Sequence, residues 1–221
     1  MLGQFGENDS SMRVGITGAA GFIGMHLTSD LLLNGHQVVG LDSLSPAYGG
    51  ELSRRRAKHL LEQFNFQIAN HDILTLGNDK LTDLFRDCDY LVHLAAWPGV
   101  RSGQIYPNQY SRHNILGFSK ILNIAREIKP QKFFYASSSS IYGDLAKNGA
   151  VKERDATGLN LKSYYAATKW INETEARANQ TLVDFPTTAL RFFTVYGPWG
   201  RPDMAYWSFL ESLRADLPIS L

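Results

Sequence analysis

Tyr165 and Lys169 are the two residues whose types and spacing most directly suggest chemistry. They stand four positions apart in a segment with helical periodicity, residues 163–180, so both side chains should lie on one face of a helix. A free phenol has a pKa of about 10 and is a poor base near neutral pH, but an ammonium group one turn away lowers that pKa. The pair is a candidate acid/base device for a hydroxyl proton, although a surface helix with an amphipathic tyrosine has the same pattern.

The composition restricts the classes of protein to consider. The 221 residues are 44% hydrophobic and 19% charged, which suffices for one globular domain, or one domain plus part of another. A net charge of +1 without a basic block favours neither nucleic acid nor an anionic membrane as a partner. The single cysteine, Cys88, and six scattered histidines predict neither a disulfide framework nor a metal site. We find no apolar run long enough to span a membrane and no secretory signal in residues 1–11, so we expect a flexible tail and a cytoplasmic protein.

A glycine-rich turn follows the first predicted strand. The short apolar run of residues 13–17 leads into Gly18, Gly21 and Gly24, spaced Gly-x-x-Gly-x-x-Gly, and a helical pattern follows. Glycines at such a turn let backbone N–H groups approach a pyrophosphate at a helix N-terminus. The next predicted strand is closed by Asp42, whose carboxylate would suit an adenosine ribose diol and repel a 2′-phosphate, which favours NAD over NADP.

Strands and helices alternate along the rest of the chain, which predicts an α/β fold with a doubly wound parallel sheet, the Rossmann arrangement. Asp72 follows the third predicted strand, where it would face either an adenine or only its own turn. The four serines of residues 137–140 follow the fifth, where open α/β sheets bind ligands; a plain serine-rich loop is the alternative. Further strands are predicted over residues 66–69, 90–96, 132–136 and 187–191, and helices over residues 48–64, 81–86, 106–128 and 204–214.

In this order, these motifs resemble the extended short-chain dehydrogenase/reductase superfamily, in its NAD-dependent nucleotide-sugar epimerase/dehydratase branch. The resemblance begins at Arg13 and covers nearly the whole remaining chain. It implies Ser138, Tyr165 and Lys169 as catalytic residues. The cofactor-binding positions that it implies are Gly18, Gly21, Phe22, Ile23, Gly24, Asp42, Asp72, Ile73, Leu94, Ala95, Ala96, Tyr165 and Lys169.

Within the branch, residues 190–204 look most like UDP-glucuronate 4-epimerases. UDP-galactose 4-epimerases usually carry Asn in place of Thr194, and the sister dehydratases and decarboxylases carry an acid in place of Ser139 or Ser140. Hydroxyls at these two positions leave no carboxylate to take a proton from the sugar 5-position, which favours plain epimerisation of UDP-glucuronate with tightly bound NAD. The alternatives are an epimerase of a neutral UDP-sugar, a decarboxylase, a reductase, or a non-catalytic NAD-binding protein. The implied substrate contacts are Ser138, Ser139, Ser140, Thr194 and Arg201, with Arg201 either on the sugar carboxylate or simply at the surface.

The resemblance also implies a domain plan. Residues 12–190 would form the NAD-binding Rossmann domain, and residues 191–221 would begin a small substrate-binding domain that family members continue beyond this point, so we expect a truncated domain here. Related enzymes pair as homodimers through a helix bundle, for which the helices over residues 106–128 and 164–180 are the candidates.

Overall fold

The sheet is the centre of the fold. The computed structural model describes residues 11–45, 51–99, 105–147, 149–200, 202 and 204–219. Within these ranges, six parallel strands form one sheet in the order β3-β2-β1-β4-β5-β6. The strand order reverses between β1 and β4, which creates the crevice at which open α/β sheets bind ligands. The strands are β1 (Arg13–Thr17), β2 (Gln37–Asp42), β3 (Ala69–Asn70), β4 (Tyr90–His93), β5 (Lys132–Ser138) and β6 (Thr187–Phe192).

Helices connect the strands. The connections that carry the site are α1, which follows β1, and α6, which follows β5 and its loop. The helices are α1 (Phe22–Leu33), α2 (Leu52–Phe64), α3 (Asn78–Phe85), α4 (Pro107–Tyr110), α5 (Gly117–Ile128), α6 (Tyr164–Val183) and α7 (Ala205–Arg214). A π-helical turn, Ser111–Leu116, joins α4 to α5. In the described part of the chain, the helices are too short or too polar to cross a membrane.

Two hydrophobic cores cover the two faces of the sheet, because successive strand side chains point to opposite sides. On β4, Leu91 belongs to one core and Val92 to the other; on β5, Phe133 and Phe134 divide in the same way. The larger core packs against helices α3, α5 and α6, and the smaller against α1. The predicted doubly wound α/β fold is therefore confirmed.

Several helices and strands begin or end at residues other than those predicted from the sequence, because turn hydrogen bonds and strand pairing set their ends. Helix α1 begins at Phe22, within the predicted turn, because the Gly21 N–H bonds the Gly18 carbonyl and the Met25 N–H already bonds Gly21. Strand β4 ends at His93 and not at residue 96. Strand β5 continues to Ser138, because its pairing with β6 runs to the end of both strands. Strand β3 is two residues long, at Ala69–Asn70, and not residues 66–69.

The long helix predicted over residues 106–128 is interrupted. It consists of α4, the π turn and α5, and the wide turn places the Asn114 carbonyl where it accepts a 2.7 Å hydrogen bond from the Asn172 side chain of α6. Helix α2 begins at Leu52, and its predicted start at residue 48 lies outside the described residues. Of the tail predicted over residues 1–11, residues 1–10 also lie outside them.

Candidate active site

A cleft of about 380 Å³ opens at the carboxyl ends of the central strands. The glycine turn forms one wall, the start of α6 forms another, and the chain after β6 forms the rim. Most of the residues that the sequence singled out meet here. Those that line this cleft are Gly18, Gly21, Phe22, Ile23, Gly24, Asp42, Leu94, Ala96, Ser138, Tyr165, Lys169 and Thr194.

A smaller cleft of about 150 Å³ adjoins the first and shares Gly18, Gly21 and Asp42 with it. Asp72, Ile73 and Ala95 line this second space, not the first. Asp72 also makes the turn that the sequence allowed as the alternative, since its Oδ1 accepts a 2.8 Å hydrogen bond from the Leu74 N–H. An elongated ligand with two halves would fit the joined clefts.

The glycine turn brings α1 into direct contact with the sheet edge. Gly18 has φ +76°, and a Cβ there would stand 2.6 Å from the Ala95 nitrogen. A Cβ on Gly24 would stand 2.0 Å from the Gly18 carbonyl oxygen. Only glycine allows this approach, which leaves the N-terminus of α1 open toward the cleft, and no side chain caps it at Gly21. Such an N-terminus favours anions, so the turn fits the pyrophosphate of a dinucleotide.

Asp42 ends β2 beside this turn. Its carboxylate accepts hydrogen bonds from the Ala20 N–H at 3.0 Å and the Leu44 N–H at 2.8 Å. Burial raises the pKa of the Asp42 carboxyl, and the two hydrogen bonds and the nearby charge of Arg56 oppose that rise. The oxygens have lone pairs left for a hydroxyl donor, which fits the ribose diol that the sequence predicts at this position.

Helix α6 presents Tyr165 and Lys169 to the cleft. The helix starts at a serine cap, in which Ser163 Oγ accepts the Ala166 N–H at 3.0 Å. Lys169 is 3% exposed, and its Nζ donates a 2.8 Å hydrogen bond to the Ala136 carbonyl. That nitrogen lies 5.8 Å from the centre of the Tyr165 ring. Because burial disfavours the ammonium, it lowers the pKa of Lys169 to about 8, and the lysine remains largely charged near neutral pH.

The serine run divides at the end of β5. Ser138 is the last strand residue and lines the cleft, and its Oγ accepts the Ser140 N–H at 3.2 Å, which leaves the hydroxyl proton available to a ligand. Ser139 and Ser140 begin a 3-10 segment, Ser139–Lys147, and do not line the cleft. The Ser140 Oγ is buried without a hydrogen-bond partner in the described part of the chain.

A buried ion pair beneath the cleft was not foreseen from the sequence. Glu173 is 4% exposed and stands four residues after Lys169 on α6. Its Oε1 accepts a 2.5 Å hydrogen bond from Ser137 Oγ and a 2.9 Å bond from Arg191 Nε, and its Oε2 accepts a 2.8 Å bond from Arg191 Nη2. Arg191 also donates a 3.0 Å bond to the Tyr142 hydroxyl. The pair thereby links α6, β5 and β6. The sequence held one sign of it, because Glu173 follows Lys169 at the same spacing of four that separates Lys169 from Tyr165.

Asn114 was also missed. It lies on the π turn, with an Oδ1 that accepts the Trp97 N–H at 2.6 Å and an Nδ2 that donates to the Trp97 carbonyl and to Thr168 Oγ1. The residue therefore fixes the loop after β4 against α6. No periodic pattern marked it.

The loop after β6 carries the remaining predicted residues. Thr194 is exposed and lines the cleft, whereas Arg201 lies outside the described residues. No group of three or more histidine, cysteine or acidic side chains in the described ranges is arranged to hold a metal ion.

Comparisons with known proteins agree with this geometry. The model of the NAD dependent epimerase/dehydratase family matches residues 14–221. Protein CapI of Staphylococcus aureus is 41% identical over 214 residues, which are 95% of this chain and 62% of that protein. UDP-glucuronate 4-epimerase 4 of Arabidopsis thaliana is 39% identical over 218 residues, 97% of this chain and 49% of that protein.

Solved structures give the same result. The crystal structure of UDP-glucuronic acid 4-epimerase from Bacillus cereus, in complex with UDP-glucuronic acid and NAD, superimposes with a TM-score of 0.85 at 37% identity and covers 94% of this chain and 65% of that one. The chain spans about half to two thirds of the length of these relatives. Since the family model and the relatives both extend over nearly all of its residues, the chain belongs to the NAD dependent epimerase/dehydratase family.

Proposed function

We propose that the protein epimerises UDP-glucuronate to UDP-galacturonate at the sugar 4-position with a tightly bound NAD. The observation that carries the proposal is the convergence of Ser138, Tyr165 and Lys169 with the glycine turn in one cleft. Two sources support the choice of sugar. One is the pattern over residues 190–204, and the other is the similarity to proteins named as UDP-glucuronate 4-epimerases.

The chain's own residues would move the proton. Tyr165, as phenolate, accepts the proton of the sugar 4-hydroxyl at its Oη and later gives it back. The Lys169 ammonium favours the phenolate through its positive charge. Ser138 donates a hydrogen bond from its hydroxyl to the sugar 4-oxygen, which stabilises the partial negative charge on the oxygen of the transient 4-keto group.

The residues of the glycine turn fit the proposed cofactor. The open N-terminus of α1 would hold the pyrophosphate, and Asp42 the adenosine ribose diol, with the smaller cleft beside Asp72 and Ile73 left for the adenine. When bound, NAD supplies reversible hydride acceptance at carbon 4 and is not consumed.

A uronic acid substrate adds a hazard. The transient 4-keto sugar is a β-keto acid, which loses carbon dioxide when its carboxylate bond stands perpendicular to the carbonyl plane. Thr194 offers a hydroxyl at the cleft rim, and Arg201, seven residues on, offers a bidentate fork for the carboxylate. We propose that these two residues hold the carboxylate away from that orientation.

The assembly and setting belong to the same proposal. Residues 191–221 would begin the substrate-binding domain. A homodimer would form through the helices over residues 106–128 and 164–180, where Leu116 of the π turn and Ile171 of α6 are exposed apolar side chains. We place the enzyme in the cytoplasm, in polysaccharide biosynthesis, without nucleic-acid or membrane partners.

The deciding experiment is product analysis of the purified protein with UDP-glucuronate, UDP-galactose and UDP-glucose as separate substrates. We expect UDP-galacturonate from the first, NAD in the denatured supernatant, and no stoichiometric change at the NADH absorbance band. Turnover of only the neutral sugars would favour the neutral-sugar epimerase, and a pentose product would favour the decarboxylase. Stoichiometric NADH consumption would favour the reductase, and bound NAD without any turnover the non-catalytic protein.

A further inference from the structure

The loop after β6 is fastened to the helices that flank the glycine turn. Arg56 of α2 is 5% exposed. Its Nη2 and Nε donate hydrogen bonds of 2.6 and 3.2 Å to the Trp199 carbonyl. Its Nη1 donates a 3.3 Å bond to the Ala20 carbonyl within the glycine turn. One guanidinium therefore joins the nucleotide side of the cleft to the loop that forms its rim.

The Trp199 side chain packs against the same helix, α2. Its ring centre lies 5.2 Å from that of His59, and the Arg55 guanidinium carbon lies 6.0 Å from the Trp199 ring. Trp199 has φ +64°, a left-handed conformation that is uncommon for a bulky residue and persists only where surrounding contacts hold it. A further bond joins His26 Nε2 of α1 to the Pro198 carbonyl at 3.0 Å. Residues 197–200 thus form a strap across α1 and α2.

Arg56 is also part of the cleft. It lines the main cavity together with Phe22, and its guanidinium carbon lies 5.9 Å from the centre of that ring. The chain that enters the strap, including Thr194, lines the same cavity from the other side. An anion bound in the cleft would therefore attract the Arg56 guanidinium, whose hydrogen bonds fix the position of the rim.

We propose that Arg56 is a positioning residue that couples occupancy of the nucleotide side of the cleft to the placement of residues 193–200. In this role a bound dinucleotide orders the rim, and the rim then presents its side chains to the sugar. The sugar half of this inference rests on the proposed function, whereas the anchoring of the strap by Arg56 does not.

Arg56→Lys is the informative variant, because a single ammonium keeps the charge but cannot reproduce the forked contact with two carbonyl oxygens. Arg54→Lys is the matched control, since Arg54 is exposed on the same helix. Hydrogen–deuterium exchange of residues 193–200 is measured in both variants and in the wild type, with and without added NAD. Exchange in β1 and β4 reports global stability.

We expect NAD to slow exchange of residues 193–200 in the wild type and in Arg54→Lys. In Arg56→Lys, exchange of these residues should be faster without nucleotide and should no longer respond to NAD, while residues 18–24 keep their NAD protection. The KM for the UDP-sugar should rise about tenfold, in line with the loss of a hydrogen bond from a charged donor, with a smaller change in kcat.

Unchanged exchange of the strap in Arg56→Lys would overturn the proposal. So would faster exchange that extends equally to β1 and β4, since that pattern means a purely structural arginine. A wild type that does not convert UDP-glucuronate would refute the proposed function, yet the exchange comparison would still decide whether Arg56 anchors the rim.

Discussion

Lys169 Nζ lies 5.8 Å from the centre of the Tyr165 ring while it donates a 2.8 Å hydrogen bond to the Ala136 carbonyl of β5. The carbonyl is neutral, so it positions the ammonium without cancelling its positive charge. That charge can therefore still favour the phenolate form of Tyr165. The proposed acid/base pair therefore depends as much on the end of β5 as on the spacing of two residues along a helix.

Replacing Tyr165 tests the proposed proton acceptor. Tyr165→Phe should lower kcat for 4-epimerisation by about 10²–10⁴-fold, the range of a general acid/base contribution, and leave bound NAD in place. The measurement is conversion of UDP-glucuronate followed by NMR. Tyr164→Phe is the control, because Tyr164 is exposed beside it and should retain activity; a fully active Tyr165→Phe protein would exclude the phenolate mechanism.

Burial of Lys169 should appear in the pH dependence of stability. Its pKa of about 8 in the folded state lies below the ordinary 10.5, so the unfolded chain binds more protons between these two pH values, and stability should rise with pH there. The difference in unfolding free energy between the wild type and Lys169→Met should therefore change in favour of the wild type between about pH 8 and pH 10.5, by on the order of 3 kcal/mol. Urea titrations of both proteins across this range give the difference, and a constant difference would mean that Lys169 titrates normally.

The Glu173–Arg191 pair should contribute strongly to stability. Glu173→Gln leaves the partly buried Arg191 guanidinium without its counter-charge, which should cost about 3 kcal/mol of unfolding free energy. Glu62→Gln removes a surface pair with Lys58, whose two side chains are 73% and 57% exposed, and should cost less than about 1 kcal/mol. Equal effects in urea unfolding would show that burial of the Glu173 pair adds nothing.

The close approach at Gly24 predicts an intolerance to any side chain there. Gly24→Ala places a Cβ 2.0 Å from the Gly18 carbonyl oxygen, so α1 must shift, at a cost of about 1–3 kcal/mol, and the affinity for NAD should fall. Gly77→Ala meets nothing within 4 Å and serves as the control. Thermal unfolding and calorimetric titration with NAD check both variants; unchanged NAD affinity in Gly24→Ala would argue against binding at the turn.

The proposed carboxylate contact predicts a change in product. Arg201→Ala should raise the decarboxylated product relative to the epimer, because the β-keto acid then reaches the orientation that loses carbon dioxide. The products are separated chromatographically after incubation with UDP-glucuronate. Arg214→Ala is the control, because the Arg214 side chain is exposed on α7, and it should leave the product ratio unchanged. An unchanged product ratio in Arg201→Ala would exclude the proposed role of Arg201.

The sequence predicted what depends on short-range patterns. The spacing of Gly18, Gly21 and Gly24, the acid at Asp42 and the Tyr165–Lys169 pair are local relations, and the structure places all of them on one cleft. Their binding and catalytic roles stay predictions.

Other features depend on contacts between residues far apart in the chain, which one sequence does not reveal. The Glu173–Arg191 pair joins positions 18 residues apart, and the Asn114–Asn172 bond joins positions 58 apart. Which serines line the cleft was also unpredictable, because that follows from how far β5 pairs with β6.

The wide turn at Ser111–Leu116 has a consequence for engineering. A π turn contains one residue more than an α-helix needs over the same stretch, so deleting one residue there would give a regular helix without rotating its two ends relative to each other. The Asn114 carbonyl would then accept a hydrogen bond within the helix and lose the 2.7 Å bond from the Asn172 side chain of α6. A mutant library that regularises this helix to raise thermal stability should therefore weaken its attachment to α6.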